Sequence, residues 1–192
     1  MSEKQHSKPH YNLKKTIVMV GMMGAGKTAI GRGLAQRLDV PFLDSDAEIE
    51  TAANRTVPEI FERDGEAFFR ARESEVIARL LVEARGVLST GGGAFLAEGN
   101  RANITARGVS VWLDADLDLL WQRVRHKDTR PLLRTADPRA TLADIYATRV
   151  PLYSKADVVV KSLPGLSIDE MVDRVIAKLL ADRGDVLEMD NA

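Results

Sequence analysis

The sequence predicts a three-layer α/β/α domain, a parallel sheet with helices on both faces. Two observations predict it. Five short apolar runs alternate with stretches of helical periodicity. A glycine-rich loop joins the first of those runs to the first amphipathic helix. Strand–helix alternation implies crossover connections, and crossovers put helices on the faces of a parallel sheet. Such sheets bind ligands at the carboxyl ends of their strands.

The elements follow in order. The first strand is Thr16–Val20, and the helix behind its loop places Ile30, Leu34 and Leu38 on one face. The second strand is Val40–Asp44. Thr56-x-x-Glu59 is a capping box that starts a helix. Further strands are expected at Gly86–Thr90, Val109–Leu113 and Asp157–Val160. Ser167-x-x-Glu170 caps a last helix with apolar positions at Met171, Val172, Val175, Ile176 and Leu179. Residues 1–14 read as a flexible tail, 15–180 as one domain, and 181–192 as an acidic, fraying tail.

The bulk numbers narrow the function classes. A chain of 192 residues, 45% hydrophobic and 29% charged, is an ordinary globule with room for a buried core. A net charge of −1 argues against nucleic acid as a partner. No apolar run approaches the roughly 20 residues of a membrane span. The polar first residues have no secretory h-region. The absence of cysteine excludes disulfides and thiolate metal sites and suits a reducing cytosol, so a cytoplasmic location is expected.

Gly21-x4-Gly26-Lys27-Thr28 fits the phosphate-loop pattern in full, with a strand before it and a helix after it. Glycines let successive backbone N–H groups turn toward phosphate oxygens, and the helix adds the positive end of its dipole. Gly24, Ala25, Gly26, Lys27, Thr28 and Ala29 therefore form the expected ATP-phosphate cradle. Lys27 reaches the β- and γ-phosphates, and the Thr28 hydroxyl can ligate Mg²⁺. A GTPase would want Asn-Lys-x-Asp, which is missing. A motor ATPase would usually end a strand with an acid, but the third strand ends "VLSTGGG". A small-molecule kinase with a basic lid is favoured.

Asp44 and Asp46 sit where the second strand ends and the chain turns. One carboxylate could meet Mg²⁺ and the other a substrate hydroxyl. Alternatively, Asp46 only caps the next helix. Arg70 and Glu73 share a helix face, as a site pair or as a solvated ion pair. Gly91, Gly92 and Gly93 follow the third strand and make sense if a ligand must lie against bare backbone. Residues 126–139 read as a mobile lid marked by Pro131 and Pro138. The stretch 122–139 carries Arg123, Arg125, Lys127, Arg130, Arg134 and Arg139 against Asp128 and Asp137, a local charge of +4. Arg149 lies two residues before Pro151, which should bend or end its helix. If buried, Arg149 needs an anionic partner. His6, His10 and His126 show no ligand spacing.

Taken together, "GMMGAGKT", "DSD", "FRARE", "GGG", "RPLL" and "RVPLY", in this order, resemble the shikimate kinases from about Lys15 to Leu180. The resemblance implies a nucleoside-monophosphate-kinase-like fold with strand order 2-3-1-4-5. It implies transfer of the ATP γ-phosphate to the 3-hydroxyl of shikimate, in aromatic amino-acid biosynthesis. It further implies that Asp44 and Thr28 hold Mg²⁺ and that Asp46 binds hydroxyls and acts as the base. Arg70 and Arg149 would clamp the carboxylate, Gly92 would contact substrate through backbone, and Arg130 would reach the phosphates. A monomer is expected. The family often carries an acid and a hydroxyl residue after the fifth strand, where this chain has Lys161 and Ser162, so no adenine-pocket residue is assigned. A kinase of another polyol acid, such as gluconate, and an ATP-switched regulatory module remain as alternatives.

Overall fold

The computed structural model describes residues 9–127 and 130–190. A short strand β1 (Tyr11–Leu13) precedes β2 (Thr16–Val20), which the phosphate loop joins to α1 (Lys27–Leu38). Strand β3 (Phe42–Asp44) leads into three helices, α2 (Ser45–Ala53), α3 (Val57–Asp64) and α4 (Glu66–Glu83). Then come β4 (Val87–Ser89), α5 (Glu98–Arg107), β5 (Gly108–Ala115), α6 (Leu117–Val124) and α7 (Pro138–Tyr153). The chain closes with β6 (Val158–Ser162), α8 (Ile168–Asp182) and β7 (Leu187–Met189).

Five of these strands form one sheet in the order β3-β4-β2-β5-β6, every adjacent pair parallel. Counted among the sheet strands alone, this is the expected order 2-3-1-4-5. All five residues of β2 are buried, because it lies between β4 and β5 and is covered on both faces. Helices α1 and α8 pack together, as do α4 and α5. Gly31 lets α1 approach the sheet: an added Cβ would stand 3.0 Å from the Phe42 ring and 3.5 Å from Met19. Both capping boxes form, at Thr56–Glu59 and Ser167–Glu170. Pro151 sits in the last turn of α7, which ends two residues later, as the sequence predicts.

A second, smaller core of Ile49, Ile60 and Phe69 holds α2, α3 and α4 together. These helices form a unit inserted between β3 and β4, beside the main core. It carries Asp46 and Arg70, two of the residues expected to face the acceptor.

The ends differ from the expected tails. Tyr11–Leu13 pairs antiparallel with Leu187–Met189, and α8 runs to Asp182. Leu13 and Leu187 are buried, so the pairing closes apolar surface that hydrophilic flanks conceal in the sequence. Lys14 pairs with Glu188 and Lys15 with Asp185 across this clasp. The expected tail residues 1–8 and 191–192, and residues 128–129 of the expected lid, lie outside the described residues. Among the described residues, no helix is long and apolar enough to cross a membrane.

Candidate active site

The phosphate loop turns through glycines in the left-handed region. Gly24 has φ +80° and Gly26 φ +93°, conformations that other residues adopt only with strain. Gly24 is also hemmed in, since an added Cβ would lie 2.7 Å from Val124. Gly26 is the N-cap of α1, so the free N–H groups of the helix face the loop. Lys27 folds back over the loop and donates to the carbonyl oxygens of Gly21 (2.8 Å) and Met22 (3.0 Å). Burial lowers its pKa to about 8, Arg130 adds to the effect, and Asp46 opposes it.

A cleft of about 560 Å³ opens over this loop at the carboxyl ends of the strands. Its lining includes Gly24 to Ala29, Asp44, Asp46, Gly91, Gly92 and Arg130. The Thr28 hydroxyl is 3.3 Å from the Ser89 hydroxyl. Asp44 is the N-cap of α2 and accepts from the Asp46 and Ala47 amides at 3.0 and 3.1 Å. This corrects the alternative that Asp46 caps the helix. The cap is Asp44, one residue before the helix begins, because only the extended backbone there turns a carboxylate back onto the free N–H groups. Asp46 is left available, and its Oδ1 is buried without a hydrogen-bond partner. Burial first, then the charge of Asp44, raises its pKa to about 6.

The three glycines after β4 each lie against a different charged group. At Gly91 an added Cβ would stand 2.9 Å from Asp46 Oδ1 and 3.1 Å from Glu73 Oε1. At Gly92 it would stand 3.2 Å from Arg149 Nη1. At Gly93 it would overlap the Arg70 guanidinium, 2.6 Å from Cζ. The missing side chains thus make room first for the protein's own site residues, where the sequence suggests only a ligand. Arg70 donates to Glu73 at 2.8 Å, and the Glu73 side chain is 1% exposed. The solvated-pair reading is therefore excluded. Burial raises the Glu73 pKa and Arg70 opposes this.

Glu73 Oε1, Asp46 Oδ1 and Arg130 Nε are buried polar atoms without hydrogen-bond partners. Such atoms are expensive in a folded protein and mark a place for a polar ligand. Among the described residues, no cluster of three acidic or histidine side chains could hold a metal alone. The Thr28 hydroxyl and the Asp44 carboxylate supply hard oxygen donors beside the phosphate loop. This donor set fits Mg²⁺, which keeps waters and phosphate oxygens in its shell.

Several residues of the site escape sequence reasoning. Arg123 braces the phosphate loop through the carbonyls of Gly24 (3.2 Å) and Ala25 (3.4 Å) and reaches the Ser162 hydroxyl. In sequence it is one of six cations in the basic stretch. Leu166, Ile168 and Met171 also line the cleft. Lys161, beside the undecided adenine position, is bound to Asp114 and Asp116. Tyr153 donates its hydroxyl to the Gly92 carbonyl.

The family model of shikimate kinase matches residues 23–180. A shikimate kinase of Ruegeria pomeroyi is 75% identical, over 92% of this chain and 90% of that protein. The structure of a shikimate kinase from Acinetobacter baumannii in complex with shikimate matches with a TM-score of 0.83 and 38% identity, covering 88% of this chain and 95% of that one. A gluconokinase from Sinorhizobium meliloti 1021 matches at a TM-score of 0.55 and 18% identity, over 88% of this chain and 94% of that one, a likeness of fold alone. With the family model matched across most of its length and its phosphate loop facing a carboxylate-and-guanidinium cleft, this chain belongs to the shikimate kinase family.

Proposed function

We infer that the protein is an ATP-dependent kinase that transfers the γ-phosphoryl group of ATP to the 3-hydroxyl of shikimate, giving shikimate 3-phosphate and ADP. The single observation that carries this reading is the acceptor half of the cleft. Two arginines and an unpaired buried carboxylate converge on three side-chain-free residues beside the phosphate loop. Shikimate is a small carboxylate with three hydroxyls. Arginine forks suit the carboxylate, and an aspartate suits the hydroxyls.

Asp46 takes the proton of the 3-hydroxyl as that oxygen bonds to the γ-phosphorus and the bond to the ADP oxygen breaks. A pKa of about 6 leaves Asp46 ionised at neutral pH yet basic enough to help. Lys27 leaves the carbonyls of Gly21 and Met22 for the phosphates, and Arg130 adds a second cation. Both stabilise charge on the transferring group, the main demand of phosphoryl transfer. Mg²⁺ held by Thr28 and Asp44 would neutralise further phosphate charge when bound. Arg70 and Arg149 hold the carboxylate, and Gly91, Gly92 and Gly93 let substrate approach the backbone. The basic segment 126–139 serves as a lid over the phosphates. The protein works as a cytoplasmic monomer on small molecules, with neither nucleic acid nor membrane as partner.

The test is coupled ADP release with shikimate, quinate, gluconate and nucleoside monophosphates as acceptors. Shikimate-dependent release, with little for the others, is expected. Release independent of any acceptor would favour an ATP switch, and preference for gluconate would overturn the reading.

A further inference from the structure

A pair of aromatic rings lies between Gly21 of the phosphate loop and Gly92. Tyr153, the last residue of α7, is 1% exposed. Its ring stacks on Trp112 of β5, with centroids 6.2 Å apart and planes 30° from parallel. Trp112 abuts the start of the phosphate loop, since an added Cβ at Gly21 would lie 3.4 Å from its Cδ1. On the other side, the Tyr153 hydroxyl donates to the Gly92 carbonyl, and Arg149 stands at the same residue: an added Cβ at Gly92 would lie 3.2 Å from Arg149 Nη1 and 3.8 Å from the Tyr153 hydroxyl. The direction of this hydrogen bond is forced, because a carbonyl only accepts. Burial raises the Tyr153 pKa, so the donated proton stays in place.

The two arginines of the clamp are held differently. Arg70 is held by the carboxylate of Glu73. Arg149 stands beside the neutral Tyr153 phenol at Gly92 and forms no ion pair among the described residues, although its charge helps to lower the Glu73 pKa. An internal carboxylate would compete with an incoming substrate carboxylate for the same donors. A phenol orients the guanidinium and leaves its charge for the ligand.

We propose that Tyr153 is a positioning residue for the acceptor carboxylate: it fixes the Arg149 guanidinium against the Gly92 peptide. The proposal rests on the shikimate reading and deepens it.

Tyr153→Phe removes one oxygen and keeps the ring. It should raise the shikimate KM and the Kd from calorimetry about tenfold, while kcat and the ATP KM stay within about twofold. In an Arg149→Ala background, the same change should alter shikimate Kd by less than about twofold, because its object is gone. Trp112→Phe keeps the hydroxyl pair, and its shikimate Kd should stay within about threefold. An unchanged shikimate KM in Tyr153→Phe overturns the proposal. So does an equal loss in both backgrounds, an equal rise for both substrates, or a Trp112→Phe defect as large as that of Tyr153→Phe. Turnover of shikimate by the wild-type protein is measured first, so failure of the functional reading is told apart from failure of this one.

Discussion

At the residue scale, two titrations bracket the chemistry. Asp46 must be ionised to take a proton, so kcat/KM should rise as pH passes about 6. Lys27 must be protonated to stabilise phosphoryl charge, so kcat/KM should fall as pH passes about 8. Nucleotide phosphates oppose the loss of the lysine proton, so the basic limb should move up in the kcat profile. A flat kcat/KM from pH 5 to 9 would remove both residues from these roles. The same carboxyl bears on stability. Its folded pKa exceeds the ordinary 3.8, so the native state holds the proton more tightly. Stability then falls as pH rises from about 4 through about 6, and Asp46→Asn should melt higher than wild type at pH 8 but not at pH 3.5. Asp44 is separated by the metal-holding role proposed for it. Asp44→Asn keeps the cap, since Asn caps as well as Asp, but weakens metal binding, so added Mg²⁺ should partly restore activity. Asp46→Asn should lose about 10²–10⁴-fold in kcat without rescue by Mg²⁺. Identical Mg²⁺ titrations of the two variants would overturn this division of labour.

At the element scale, the turn after β4 decides where the charges stand. Gly93→Ala puts a methyl group into the Arg70 guanidinium, the flexible end of a side chain, which can move aside. The fold should survive with a melting temperature within about 3 °C of wild type, while the displaced arginine weakens shikimate binding by about 10–100-fold. Calorimetric titration and a thermal melt check both halves, and normal shikimate affinity would show that Arg70 is not in the clamp. The insertion α2–α4 has its own small core of Ile49, Ile60 and Phe69. It therefore presents Asp46, Arg70 and Glu73 on packed helices rather than on loops, which suits a site that must be preorganised.

At the scale of the whole molecule, the chain ends are clasped at a distance from the chemistry. Leu187 is 1% exposed in the β1–β7 pair, whereas the ion pairs beside it are exposed and contribute little. Leu187→Ala should lower stability by about 2–4 kcal/mol and leave kcat and both KM values unchanged. Urea unfolding with steady-state kinetics tests this, and a changed shikimate KM would tie the clasp to the site.

Five strands, their order of appearance and the phosphate loop were legible in the sequence because each is a local pattern. An apolar run, a capping box or Gly-x4-Gly-Lys-Thr states its chemistry within a few residues. Observed strand ends differ from the expected ones by no more than two residues, as at Phe42–Asp44 and Gly108–Ala115. The order of strands within the sheet came only through family likeness, because periodicity says nothing about which strand lies beside which. Partnership across long separations was not legible at all. Nothing local distinguishes Asp44 from Asp46 as the cap, or shows that Glu73 is buried. Nothing local places Arg123 on the phosphate loop, or sets Tyr153 on Gly92, 61 residues away. Those facts depend on where the chain returns in space. A polar side chain takes its role from the atoms folding brings within hydrogen-bond reach, and only the tertiary structure decides which atoms those are.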